Sequence, residues 1–149
     1  MLPLLTRIDH VGIACRDLRK SIDLYRETFG LGVVTVEVHE DQGVREAMLA
    51  VGSGVSAPGE PGAGYVQLLE PLGPDTPVGK FLARRGEGIH HIGYGVADIN
   101  QALAAIGGGS RGGIRLIDER PRHGSMGASI AFLHPADLGG VLTELVQFS

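Results

Sequence analysis

A single cysteine, Cys15, is all that the 149-residue chain contains. One thiol excludes an intramolecular disulfide framework and a cysteine-rich zinc site, and with no identifiable partner Cys15 is expected to pack rather than react. No apolar stretch approaches the roughly 18 residues of a membrane span. A basic excess is missing as well: Lys and Arg number 13 against 17 Asp and Glu, for a net charge of −4. That balance gives no support for nucleic acid as a partner held by bulk phosphate attraction, although a local basic patch for a small phosphorylated ligand stays open. Met1 to Thr6 lacks the basic segment and apolar run of a signal peptide. A soluble, cytoplasmic protein is expected.

What is present is the composition of one folded domain: 43% hydrophobic and 20% charged residues. Glycine stands out at 24 positions, about twice the ordinary share. The glycines show no three-residue period, so a collagen-like chain is excluded. They imply tight turns or places where something approaches the backbone closely.

The hydrophobic pattern predicts a strand over Leu4 to Ala14 and a helix capped by Asp17, with Leu18, Ile22, Tyr25 and Phe29 along one face, stopped at Gly30. Strands follow at Val33 to Val38, Val44 to Val51 and Tyr65 to Leu69, the last two separated by a Gly/Pro/Ser loop over Gly52 to Gly62. Pro77 opens a short helix reaching about Arg85. The order then starts again. A strand over Gly88 to Val96 precedes a helix capped by Asp98, with Ile99, Ala102, Leu103 and Ile106 inward, and then a glycine-rich connection over Gly107 to Gly113. Strands are predicted at Ile114 to Ile117, Ala128 to Leu133 and Val141 to Gln147. Each half reads β-α-β-β-β. Arg7 to Ala14 lies over Gly88 to Gly95 at an offset of 81 that Asp17 and Asp98 keep. A duplicated module, about residues 4–75 and 86–149 of a single domain spanning 1–149, accounts for this better than two independent domains. Each half alone is a small open sheet with an exposed face.

Strand alternation singles out polar residues. His10, Gly12 and Ala14 share one face of the first strand; His91, Gly93 and Gly95 share the matching face of its counterpart. Larger side chains beside either histidine would crowd a bound ion. Gln67 sits between Tyr65 and Leu69, and Glu144 between Leu142 and Val146, where a lone carboxylate is costly to bury. His10, Gln67, His91 and Glu144 together form a ligand set of intermediate hardness, suited to cobalt, nickel, manganese, iron or zinc. His90 is expected to point away from His91, at the surface or behind the ligands. His39, His123 and His134 are expected in solvent at loops or strand ends. Glu46, on the face of Val44 and Met48, reads either as a desolvated general base or as half of an edge salt bridge.

With these residues in place, the sequence resembles the vicinal oxygen chelate superfamily and, within it, the methylmalonyl-CoA epimerase family. The resemblance runs from Ile8 to Phe148 and is carried by Asp9 to Ala14, Asp41 to Ala47, Gly88 to Gly93, and Phe132 to Pro135 leading to Gly139 to Gln147. It implies an α+β fold of two paired β-α-β-β-β modules forming a cupped, barrel-like mixed sheet around a metal site, in a homodimer. It implies metal ligands at His10, Gln67, His91 and Glu144, with Co2+ foremost and Mn2+, Ni2+ or Zn2+ as alternatives. It also implies acid/base residues at Glu46 and Glu144 and an acyl-CoA substrate whose C2 is epimerised through an enolate. Lys80, Arg84, Arg85, Arg120 and Arg122 are candidates for the CoA phosphates. Ala136-Asp137-Leu138 departs from the Lys and Ser/Thr residues common in the family's corresponding loop. Alternatives within the fold are a glyoxalase-type enzyme acting on a glutathione hemithioacetal, an extradiol dioxygenase, which a fourth ligand at Gln67 argues against, and a metal-free protein that sequesters a small molecule.

Overall fold

The computed structural model describes residues 3–52, 56–108 and 113–149. Residues 53–55 of the expected Gly/Pro/Ser loop and 109–112 of the glycine-rich connection lie outside the described residues. The elements run β1 (Leu5–Ala14), α1 (Leu18–Phe29), β2 (Val33–His39), β3 (Val44–Ala50), β4 (Tyr65–Pro71), α2 (Pro77–Arg85), β5 (Gly88–Val96), α3 (Ile99–Gly107), β6 (Arg122–His123), β7 (Ser129–Leu133) and β8 (Thr143–Gln147). The helices begin where side chains satisfy their free N–H groups. Asp17 accepts from the Lys20 amide, Thr76 from Gly79 and Asp98 from Gln101. Gly30 ends α1 at φ 73°, a left-handed conformation that glycine adopts without strain.

Among the described residues the strands form one curled mixed sheet in the order β2-β3-β4-β1-β5-β8-β7-β6. β1 runs parallel to β4, β5 runs parallel to β8, and the other pairs, including the central β1–β5 pair, are antiparallel. The central pairing sets His10 opposite Gly93 and Gly12 opposite His91. Three register shifts interrupt it, the first at Thr6, an extra residue on β1 between Leu5 and Arg7. Asp9 is an extra residue on β1 between Ile8 and His10, and His90 is an extra residue on β5 between Ile89 and His91.

Alternation divides the sheet into two faces. On the convex side Leu18 of α1 packs on Ala47, Leu49 and Leu68, while Ile99, Ala102, Leu103 and Ile106 of α3 pack on Val96, Ala131, Leu133 and Leu145. Full burial of one such Leu or Ile stabilises the fold by about 1.5–3 kcal/mol. α2 closes one end of the cup through Val78 and Leu82, packed against Ala14, Val44 and Leu69. Two expectations are corrected. Phe29 is 68% exposed, because it sits on the last turn of α1 beyond the sheet it was expected to cover. The strand expected over Ile114 to Ile117 reduces to one bridge, Leu116 to Leu133. There the Asp118 carboxylate, rather than a strand carbonyl, accepts the Phe132 N–H, and the short edge strand forms later, at β6.

Candidate active site

The concave face gathers six buried polar or charged residues: Asp9, His10, Glu46, Gln67, His91 and Glu144; Thr143, also buried, falls with Leu145 on the other face. Burial of that many unpaired groups would be prohibitive, so their partners define the site. His10 Nε2 lies 3.0 Å from His91 Nε2 and 2.7 Å from Glu144 Oε1, and His91 Nε2 lies 3.7 Å from the same oxygen. The crossed register produces this meeting. Each histidine leans over the glycine that faces it, and a Cβ at Gly93 or Gly12 would collide with the ring of His10 or His91 respectively. Glu144 joins them because it is paired with Gly93 on the adjoining strand.

His10 is oriented from behind. Its Nδ1 lies 2.8 Å from Asp9 Oδ2, and Arg7 Nη2 donates to the other Asp9 oxygen at 2.9 Å. Burial disfavours an imidazolium at His10, but the Glu144 and Asp9 carboxylates outweigh it and raise the pKa to about 10. His91 is driven the other way, by burial first and then by its His10 and His90 neighbours, which keeps it neutral. The expectation that His90 points away is overturned. The bulge at His90 turns its ring toward the cup, where Nδ1 lies 3.0 Å from His91 Nδ1 and the ring packs edge-on against Phe81. Burial lowers its pKa to about 4.

Gln67 and Glu46 sit together on the neighbouring strands. The Gln67 amide donates to Glu46 Oε2 and, at 3.1 Å, to Ser125 Oγ, while the Ser125 hydroxyl donates to Glu46 Oε1. Both amide protons of Gln67 are thereby engaged, and its Oε1 is left buried with no hydrogen-bond partner. An orphaned oxygen beside two imidazole nitrogens and a carboxylate suits a borderline divalent ion, and His10, His91 and Glu144 form a divalent-metal-binding site. Glu37, His39 and Glu46 form a second convergent group. There both Glu46 oxygens and Glu37 Oε2 accept hydrogen bonds, from Ser125, Gln67, Thr35 and the Met126 N–H, so it is a hydrogen-bonded network.

A cavity of about 160 Å³ bordered by Gln67, His91, Glu144, His90 and Phe132 opens beside this centre. It shares Pro77, His90 and Leu142 with a larger trough of about 300 Å³ that carries Lys80, Arg84 and Arg85. Arg122 borders the inner cavity, bound to Asp118 at 3.4 Å and lying over the Phe132 ring. Arg120 borders neither of these two cavities. Asp137, in the loop that departs from the family pattern, is engaged by the Arg115 guanidinium at 2.8 and 3.1 Å.

Alternation alone misses Asp9, Ser125 and His39. His39 was expected in solvent; instead its side chain is only 14% exposed, with Nε2 2.9 Å from Glu46 Oε1. The signal was in β2, where Val34, Val36 and Val38 face outward and Thr35, Glu37 and His39 face the site.

The sequence pattern of the Glyoxalase/Bleomycin resistance protein/Dioxygenase superfamily matches residues 9–132. A solved methylmalonyl-CoA epimerase in complex with methylmalonyl-CoA and NH4+ is 51% identical, with a TM-score of 0.88 over 97% of this chain and 96% of that one. The mitochondrial methylmalonyl-CoA epimerase of Homo sapiens is 34% identical over 96% of this chain and 74% of its own length. An ethylmalonyl-CoA/methylmalonyl-CoA epimerase of Cereibacter sphaeroides is 35% identical over 95% of this chain and 97% of its own. The chain belongs to the glyoxalase/bleomycin resistance protein/dioxygenase superfamily, also called vicinal oxygen chelate proteins, and within it to the methylmalonyl-CoA epimerase family.

Proposed function

We propose that this chain interconverts the (2R) and (2S) epimers of methylmalonyl-CoA through an enolate, with Glu46 and Glu144 as the acid/base pair. The C2 hydrogen of a malonyl thioester lies between two carbonyl groups yet is weakly acidic against a carboxylate, so the charge left after its removal must be stabilised. His10, His91 and Glu144, with Gln67 Oε1 as a fourth donor, would hold a divalent ion, Co2+ foremost and Mn2+, Ni2+ or Zn2+ as alternatives. Bound there, such an ion would supply Lewis acidity toward the substrate's oxygens. The observation that carries the acid/base reading is Glu46. It is 2% exposed, and the hydrogen bonds it receives from Gln67 and Ser125 fix the position of its carboxylate inside the cup. Glu144 stands on the other flank of the sheet, across β4, β1 and β5, as inversion requires of a second proton carrier.

Lys80, Arg84 and Arg85 along the trough would meet the CoA phosphates. The two halves act as modules of one domain, residues 4–75 and 86–149 of 1–149, in a cytoplasmic homodimer. Among the described residues, no helix is long and apolar enough to cross a membrane. The test is to incubate the protein with either methylmalonyl-CoA epimer in deuterated water, with methylglyoxal plus glutathione as the parallel control. Label at C2 of both epimers is expected; turnover of the control alone would replace this reading with a glyoxalase.

A further inference from the structure

Glu46 is sealed inside the cup, so a proton it accepts needs a route to water. Of the side chains that touch its carboxylate, Gln67 and Ser125 can donate a hydrogen bond but cannot take up and release a proton near neutrality. The third, His39, can. His39 Nε2 lies 2.9 Å from Glu46 Oε1 and 3.7 Å from Glu37 Oε1, and both His39 and Glu37 reach solvent. The β2–β3 register sets Glu37 directly opposite Glu46. Two like charges in that relation repel unless a cation lies between them. Glu37 is itself fixed, since its Oε2 accepts from Thr35 Oγ1 at 3.2 Å and from the Met126 amide at 3.0 Å.

We propose that His39 is a positioning residue that acts through Glu46: it stands between the two carboxylates and exchanges the proton of Glu46 with water. The inference rests on the reading that Glu46 works at C2. When Glu46 accepts the C2 proton, the C–H bond breaks, an O–H bond forms and the electron pair stays on the substrate as the enolate. In its neutral, Nδ1-protonated form His39 accepts the proton of Glu46 at the buried Nε2 and releases its Nδ1 proton to water. Exchange of tautomer through the imidazolium, one proton taken from water and one returned to it, makes Nε2 ready again. One proton has moved from carbon to solvent and no electrons have changed hands. The groups facing His39 agree with this role. The hydrogen bond to Glu46 first, then the charges of Glu46, Glu37 and Asp41, raise its pKa against the opposing effect of burial.

The experiment measures, in deuterated water, label entering the recovered substrate relative to epimer formed, from each epimer and with metal added. Glu46→Gln identifies the face that Glu46 serves, and loss of exchange on neither face would remove the premise rather than the relay. His39→Gln keeps a donor where Nε2 stood but cannot carry a proton. On the Glu46 face its exchange ratio is expected to fall by about tenfold or more, less than the roughly 10²–10⁴-fold of a group that acts on the substrate directly. The other face should keep its ratio. His39→Ala should recover the lost exchange when imidazole is added, and His39→Asn replaces either variant that fails to fold. An unchanged ratio on the Glu46 face, or an equal fall on both faces, would overturn the proposal.

Discussion

Replacing Gly93 with alanine should disable the metal centre while leaving the fold standing. The added Cβ would meet the His10 ring, with Nε2 at 2.7 Å where ordinary contact begins at 3.4 Å. His10 cannot yield cheaply, because it is 4% exposed and its two nitrogens are held at 2.8 Å by Asp9 and 2.7 Å by Glu144. The displacement needed exceeds the roughly 0.5 Å tolerance of a preorganised site. Even losing a partner behind a ligand typically costs about 10–100-fold in metal affinity, so a displaced ligand should cost about 100-fold or more. Strain from the extra methyl should add about 1–3 kcal/mol of destabilisation, or about 2–4 °C in Tm per kcal/mol for a chain of this length. Metal affinity measured by Co2+ titration, alongside thermal melts, reads both effects. Gly64→Ala is the control, since a Cβ there meets nothing within 4 Å. A folded Gly93→Ala protein with metal affinity within about twofold of the parent would show that the crossed glycine–histidine register does not set the ligand geometry.

Asp9→Asn should weaken metal binding by about 10–100-fold by loosening His10, with little change in the far-ultraviolet circular dichroism. Arg84→Glu should raise the KM for the CoA thioester by about two- to fivefold and flatten its salt dependence without changing kcat, consistent with one exposed charge contact. Hydrogen bonds from the side chain and then the backbone of Arg115 lower the Asp137 pKa to about 2 from an ordinary 3.8. The stabilisation from Asp137 is therefore complete above the unfolded-state value and disappears as pH falls toward 2. Thermal melts of Asp137→Asn should run slightly below the parent at pH 6 and converge with it near pH 2.

Where backbone geometry was regular, side-chain chemistry could be read from the chain alone. The caps at Asp17, Thr76-Pro77 and Asp98 mark helix starts within a residue, because capping depends on local hydrogen bonds. Alternation put His10 and His91 on one face, and put Gln67 and Glu144 among apolar neighbours, because strands β4 and β8 run without a bulge across the site. It failed at Asp9 and His90. A bulge adds one residue and reverses parity locally, and nothing in the residue types announces it. On β2 the reading failed for another reason. The valines of an edge strand suggest a core, but here they face outward while Glu37 and His39 point into the site. Ser125 reaches Glu46 from a tight turn of the other half, a contact fixed by tertiary structure.

The decisive measurement is a titration of metal-stripped protein with Co2+ that follows deuterium entry at C2 of methylmalonyl-CoA from each epimer. Exchange should be absent without the ion, rise linearly and level off at one ion per chain, and fail to appear in His10→Ala or His91→Ala protein that remains folded. Full exchange in the stripped protein, or undiminished exchange after loss of either histidine, would contradict the assignment of the reaction to this centre.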